Sequence, residues 1–186
     1  YPLMGRETEL ARLMSLWHLS LKEPGKRVLL TGPKGSGRRR LLEELKRGVE
    51  RSGGGFVSHR SQIEEGAPSL LVSSQESTEP TRCSLEVVLT TQEPRGPSVI
   101  ALEPADSSIC LRLAEAYLAS PLPATLSQEI RDSGPRLPGE MLALLDTWCE
   151  SGFLRPDWLG WVFERSPGRR RKPEKGSVDR VESNKR

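Results

Sequence analysis

Cysteine, histidine and long apolar runs are all scarce in this chain, and each shortage removes a class of protein. Three cysteines, Cys83, Cys110 and Cys149, lie far apart in 186 residues and form no C-x-x-C pair. An odd, widely spaced set gives no disulfide framework, so ordinary buried thiols in a reducing compartment are expected. The two histidines, His18 and His59, have no third ligand at metal-binding spacing, which argues against a metal centre. No apolar run approaches the ~18 residues of a membrane helix, and the start has no secretory apolar segment. A soluble, cytoplasmic protein with no membrane partner is expected. Ser36 and the pair Ser73-Ser74 have no His and acid placed to activate them, so nucleophilic catalysis is not indicated.

What the chain does hold is enough for one core and a small appendage. Its charge is unevenly placed. Residues 166–186 carry 8 Lys or Arg against 3 Asp or Glu, which leaves 20 against 22 in the first 165 residues. That tail has almost no apolar residues and is expected to be disordered. Arg169-Arg170-Arg171-Lys172 is the only stretch that suggests contact with nucleic acid, and it does so weakly. The chain opens on Tyr1, and a fragment of something longer is expected.

Periodicity orders the remainder. Residues 6–21 read as an amphipathic helix, with Leu10, Leu13, Met14, Trp17 and Leu21 at helical spacing. Val28–Thr31 is a short buried strand, and a helix from about Arg38 to Arg51 turns Leu41, Leu42 and Leu45 inward. Further short strands are expected at Phe56–His59, Leu70–Val72, Leu85–Thr91 and Val99–Leu102. Gln75–Arg82 is a polar connection, and Gly96-Pro97 a turn. Strands interleaved with at least one crossover helix favour a parallel α/β sheet. From Asp106 the period becomes helical: residues 106–120, capped by Asp106 or Ser107, then 122–133, then 138–152. A short aromatic hairpin around residues 157–160 closes the folded part, with Trp148, Trp158, Trp161 and Phe163 expected to pack there.

One stretch carries chemistry. Arg27–Thr31 leads as a strand into Gly32-Pro33-Lys34-Gly35-Ser36-Gly37-Arg38-Arg39, and a helix follows. This is the context of a phosphate-binding loop, G-x-x-x-x-G-K-[ST], with its glycines at Gly32 and Gly37. Arg38 stands in place of the Lys and Arg39 in place of the Ser or Thr. Upstream, Leu3-Met4-Gly5-Arg6-Glu7-Thr8-Glu9-Leu10-Ala11-Arg12-Leu13 resembles the x-V-G-R-E-x-E-L-x-x-L opening of the signal-transduction ATPases with numerous domains. These are AAA-like P-loop modules of large bacterial regulators. The order of the later segments is also similar to that family. Ser69–Ser74 resembles its acidic strand and Val87–Pro94 its sensor strand. Ala101-Leu102-Glu103-Pro104 resembles the step into a helical lid, and Leu122–Trp161 the lid.

The resemblance implies a P-loop NTPase-like parallel sheet with flanking helices over residues 1–104. A small helical lid over 105–165 and a disordered basic tail over 166–186 follow. It implies ATP or ADP as ligand, held by Gly32, Pro33, Lys34, Gly35, Ser36, Gly37, Arg38 and Arg39. The departures point away from catalysis. Arg39 cannot hold Mg²⁺ and would repel it. Ser73 and Ser74 stand where the family has its acids, and Gln92 where it has a sensor Arg. Of the lid's G-N-P signature only Pro138 survives, within Gly134-Pro135-Arg136-Leu137-Pro138. The segment between Gly37 and Leu70 is short for the family. Glu76 and Glu79 are the nearest carboxylates that could substitute for the lost acid. The expected function is a nucleotide-binding regulatory module of a larger bacterial signalling or transcription regulator, with little or no hydrolysis and no catalytic residue assigned. A weakly active ATPase and a ligand-free interaction scaffold are the alternatives.

Overall fold

The computed structural model describes residues 3–64, 66–74, 83–90 and 98–164. The segments holding Glu76, Glu79, Gln92, Gly96-Pro97 and the basic tail lie outside them.

The apolar run at the start of the glycine stretch becomes β1 (Lys26–Thr31), an interior strand with Val28, Leu29 and Leu30 buried. It pairs in parallel with β4 (Leu85–Thr90) on one side and β5 (Val99–Ala101) on the other. Val28 lies opposite Val87, and Leu30 opposite Leu89. β3 (Ser69–Ser73) pairs in parallel with β4, and β2 (Gly55–Val57) with β3. The five strands form one parallel sheet in the order β2-β3-β4-β1-β5. The sheet departs little from the sequence expectation because each strand is a short β-branched or leucine-rich run bounded by Gly, Pro or Ser.

Alternation within the strands separates the two faces of the sheet. On one face Val28, Leu30, Leu70, Leu85, Val87 and Ile100 pack under α1 (Glu7–Ser20) and α2 (Arg38–Arg51). Leu13 and Trp17 of α1 and Leu41, Leu45 and Val49 of α2 are buried against them. The Trp17 indole N–H donates to Ser52 Oγ at 2.8 Å, which satisfies its one polar atom. The expected stripe of α1 thus forms through Leu13 and Trp17. Leu21 falls just beyond the helix and is 41% exposed. On the opposite alternation Glu86 is fully buried. Its carboxylate accepts from Arg27 Nε at 2.8 Å, Arg60 Nη2 at 3.0 Å and Ser73 Oγ at 3.3 Å. A buried carboxylate is tolerated only with such partners. Burial, with the Glu86 charge second, pushes the Cys83 thiol up to about 11, so it is protonated at neutral pH.

After β5 the chain becomes helical: α3 (Ser107–Leu118), α4 (Ala124–Asp132) and α5 (Pro138–Glu150). An antiparallel hairpin, β6 (Leu154–Asp157) and β7 (Gly160–Phe163), follows. These elements build a second core from Leu113, Ala114, Leu118, Leu126, Ile130, Met141, Leu145 and Leu154. Trp148 and Phe163 pack at 4.9 Å between ring centres, and Trp161 Nε1 donates to the Leu118 carbonyl at 3.2 Å. Trp158 departs from the expectation that all four aromatics pack. It sits at the hairpin tip and is 85% exposed, because a two-residue turn points its side chains away from both strands. Among the described residues no helix is long and apolar enough to cross a membrane.

Asp106 is the N-cap of α3, its carboxylate accepting from the Ile109 amide at 2.9 Å. That bond, with the Ser108 hydroxyl second, holds its pKa below the usual Asp value. A lowered folded pKa means the contribution is present above the unfolded value, near pH 4, and is lost as pH falls through the folded one. Asp106→Ala is therefore expected to lower the melting temperature at pH 7 and to have a smaller effect near pH 2.5. Thermal denaturation of both proteins at the two pH values measures this.

Candidate functional site

The loop between β1 and α2 lies beyond the carboxyl end of an interior strand. From β1 the chain runs to β2 at one edge of the sheet, and from β4 it runs to β5 at the other. The strand order therefore reverses beside β1, and ligand crevices of open parallel sheets lie at such switch points. Gly35 and Gly37 adopt φ of +91° and +92°, the left-handed region that side chains disfavour. Gly37 is the N-cap of α2, with no side chain capping the helix. A side chain at Gly37 would meet no protein atom within 4 Å. The amides of Arg38 and Arg39, in the first turn of α2, have no acceptor within the helix.

The first turn of α2 is electrostatically unusual. It contains no acidic residue and begins with Arg38-Arg39-Arg40. Cations at the positive end of a helix cost roughly 0.3–1 kcal/mol each when exposed, and an anion there reverses the sign. Two of the three arginines pair with carboxylates. Arg39 pairs with Glu43 at 3.3 Å, and Arg40 with Glu43 at 3.3 Å and Glu44 at 2.9 Å. Arg38 has no carboxylate partner among the described residues. Its Nη1 donates to the Thr90 carbonyl at the end of β4, at 3.2 Å. Lys34 is exposed and likewise has no carboxylate partner among the described residues.

The loop opens onto a cleft of about 1340 Å³, above the ~300–1,000 Å³ of an ordinary small-molecule site. Of the residues singled out by sequence, Lys34, Gly35, Gly37, Arg38 and Arg39 line it. Gly32, Pro33 and Ser36 do not: Gly32 is half-buried, Pro33 is exposed and Ser36 is fully buried. Ser74 lines the cleft, whereas Ser73 is bonded to Glu86. The remainder of the wall comes from elements that sequence reasoning did not connect to the loop. Leu3 and Met4 of the lead-in, Leu113 of α3, and Pro138 and Leu142 of α5 supply an apolar part. Leu42, Phe56, Val72 and Leu89 line it further along α2 and the sheet.

Two contacts fix the loop against its surroundings. The first is Arg6, which is 5% exposed. Its Nε donates to the Ser36 carbonyl at 3.2 Å, Nη1 to Glu9 Oε1 at 3.0 Å, and Nη2 to the Glu103 carbonyl. One guanidinium thus joins the lead-in, the loop and the exit from β5. The second is a backbone contact, the Gly139 amide donating to the Gly35 carbonyl at 2.8 Å. It brings the N-terminus of α5 onto the loop. An isolated antiparallel bridge between Ala105 and Arg136 supports the same junction.

The lining residues define what the cleft can do. It presents six Arg or Lys side chains, and Glu43 is the only carboxylate among its described lining residues. Glu43 is already shared between Arg39 and Arg40. The described lining is suited to anions, and the described residues include no group of three or more carboxylate, His or Cys side chains that could hold a metal ion. No protein-family profile matches the chain, and no curated protein matches it either.

Proposed function

We propose that this chain is a nucleotide-binding module of the P-loop ATPase type, degenerate and shortened. In this reading residues 1–104 are the α/β core, 105–165 a helical lid and 166–186 a basic tail. The module binds ATP or ADP as the regulatory part of a larger bacterial signalling or transcription regulator, with little or no hydrolysis. The observation that carries the reading is the cleft itself. It runs from a glycine loop whose Lys34 and Arg38 have no carboxylate partner among the described residues to an apolar wall built from the lead-in and the helical part. A nucleotide has the same two-part character.

The residues divide the work accordingly. Amides of the loop and of the first turn of α2 are the donors for phosphate oxygens, and Lys34 and Arg38 are the cations that neutralise them. Leu3, Met4, Leu113 and Leu142 offer the base an apolar surface. Arg6 and Gly139 keep the two sides of the cleft in register. Hydrolysis needs more than this. Phosphoryl transfer depends on charge stabilisation and a positioned water, and losing one such element costs on the order of 10²–10³ in rate. With Ser74 at the acid position and Glu43 held by two arginines, the described residues supply no group to orient that water.

A second reading, a ligand-free packing scaffold, draws on the Arg38–Thr90 bond, which already gives the guanidinium one partner. Thermal denaturation with 1 mM ATP in EDTA separates the two. A ligand present at 100 times its Kd stabilises by about 2.7 kcal/mol, which raises the melting temperature of a domain this size by roughly 5–10 °C. The nucleotide reading predicts a rise of that order without release of phosphate. No shift at 5 mM ATP would leave only the scaffold.

A further inference from the structure

Resting on the nucleotide reading, we infer that the cleft selects the metal-free form of its ligand, so that Mg²⁺ opposes binding instead of assisting it. The module would then report free nucleotide, a quantity that rises as available Mg²⁺ falls.

The inference starts from charge. ATP free of metal carries close to four negative charges at neutral pH, and its Mg²⁺ complex carries about two. The cleft offers six cationic side chains: Arg6, Lys34, Arg38, Arg39, Arg40 and Lys46. Some of these are partly compensated, by Glu9, Glu43, Glu44 and Glu50. Lys34 and Arg38 have no carboxylate partner among the described residues, and both adjoin the loop. In a working P-loop the metal is the largest local charge, and carboxylates and a hydroxyl hold its shell. Here each of those places has changed in the direction that replaces the metal.

Arg39 follows the Lys position, where a hydroxyl would ligate Mg²⁺. Its side chain is 92% exposed, so its ion pair with Glu43 is solvent-screened and can be exchanged for a phosphate at the helix start. A guanidinium there supplies the positive charge that the metal would have brought, in a fork that matches phosphate oxygens. Across the cleft the acid positions are Ser73 and Ser74. Ser73 is committed to Glu86 through its hydroxyl, and Glu86 in turn is buried between Arg27 and Arg60. Glu86 is thus held away as a structural ion. Among the described residues, a hydrated Mg²⁺ brought in with the phosphates would therefore meet arginine where it needs oxygen. Two unit charges a few ångströms apart in a partly exposed site interact strongly enough for a several-fold change in affinity.

The experiment is calorimetric titration of the full chain with ATP, first in EDTA and then in 5 mM MgCl₂. Tripolyphosphate serves as a probe of the phosphate site alone. The expected result is that Mg²⁺ weakens ATP binding by about five- to tenfold. The double variant Arg38→Lys with Arg39→Thr, which restores the P-loop pattern, should weaken binding in EDTA and remove or reverse the Mg²⁺ effect. Equal affinity in the two buffers, or tighter binding with Mg²⁺, would overturn this inference while leaving the nucleotide site in place. Absence of binding by both ATP and tripolyphosphate in EDTA would instead sink the nucleotide reading on which it rests.

Discussion

Arg6→Ala is expected to lower the melting temperature by roughly 6–12 °C and to weaken nucleotide binding about tenfold. Arg6 is nearly fully buried, and its guanidinium satisfies the carbonyls of Ser36 and Glu103 and the carboxylate of Glu9. Truncation leaves these acceptors, a half-buried carboxylate among them, without their donor. Each stranded polar group costs about 1–3 kcal/mol, and a stranded charge more. A total near 3 kcal/mol converts to the stated shift at about 2–4 °C per kcal/mol for a domain of this length. The binding effect has a separate origin. The Ser36 carbonyl belongs to the loop, and without its anchor the amides on either side lose their fixed direction. Arg6→Lys tests this division. An ammonium keeps the charge but cannot serve acceptors in three directions as the planar fork does. It should recover less than half of the stability and little of the affinity. A variant that loses stability and binds ATP as wild type does would show that Arg6 has only a packing role.

Gly139→Val is expected to separate α5 from the loop and to weaken ATP binding at least tenfold. A Cβ at this position would lie 2.8 Å from the Gly35 Cα and 3.2 Å from the Gly35 carbonyl oxygen. Both are backbone atoms, so neither can rotate away. The start of α5 must lift from the loop, and the 2.8 Å bond from the Gly139 amide to Gly35 is lost with it. Overpacking of this kind costs about 1–3 kcal/mol. The functional consequence is larger than the stability change suggests. Pro138 and Leu142 are part of the apolar wall and move with the helix. Binding of ATP should fall at least tenfold, whereas tripolyphosphate, which needs no apolar wall, should lose less. Equal losses for the two ligands would mean that the wall takes no part in binding.

Much of the sheet was readable because its signals are local. The run at Val28–Leu30, the glycines at 35 and 37 and the leucines at 41 and 45 sit within one stretch, and each obeys a short-range rule. Asp106 could be chosen as a cap candidate from its place before a periodic helix. The cleft was not readable in the same way. Its apolar wall draws Leu3 and Met4 from the lead-in, Leu113 from α3 and Leu142 from α5, four residues with nothing in common in sequence. Arg6 was noticed only as part of a motif, and its reach to Glu103 spans 97 positions. Glu86 lay hidden inside a strand pattern, because its two arginines come from β1 and from the turn before β3. Trp158 shows the converse. An aromatic suggests a core, but its place at the tip of the β6–β7 hairpin sends it to solvent.

The central claim is that the loop from Gly32 to Gly37 and the start of α2 hold the phosphates of a nucleotide. Backbone amide chemical shifts test it residue by residue. In EDTA, ATP is predicted to shift the amides of Gly35, Gly37, Arg38 and Arg39 most, with smaller changes at Leu3, Met4 and Leu142. Tripolyphosphate should reproduce the first group and not the second. Saturating ATP that leaves the four loop and helix amides unmoved, or whose shifts cluster elsewhere in the chain, would contradict it.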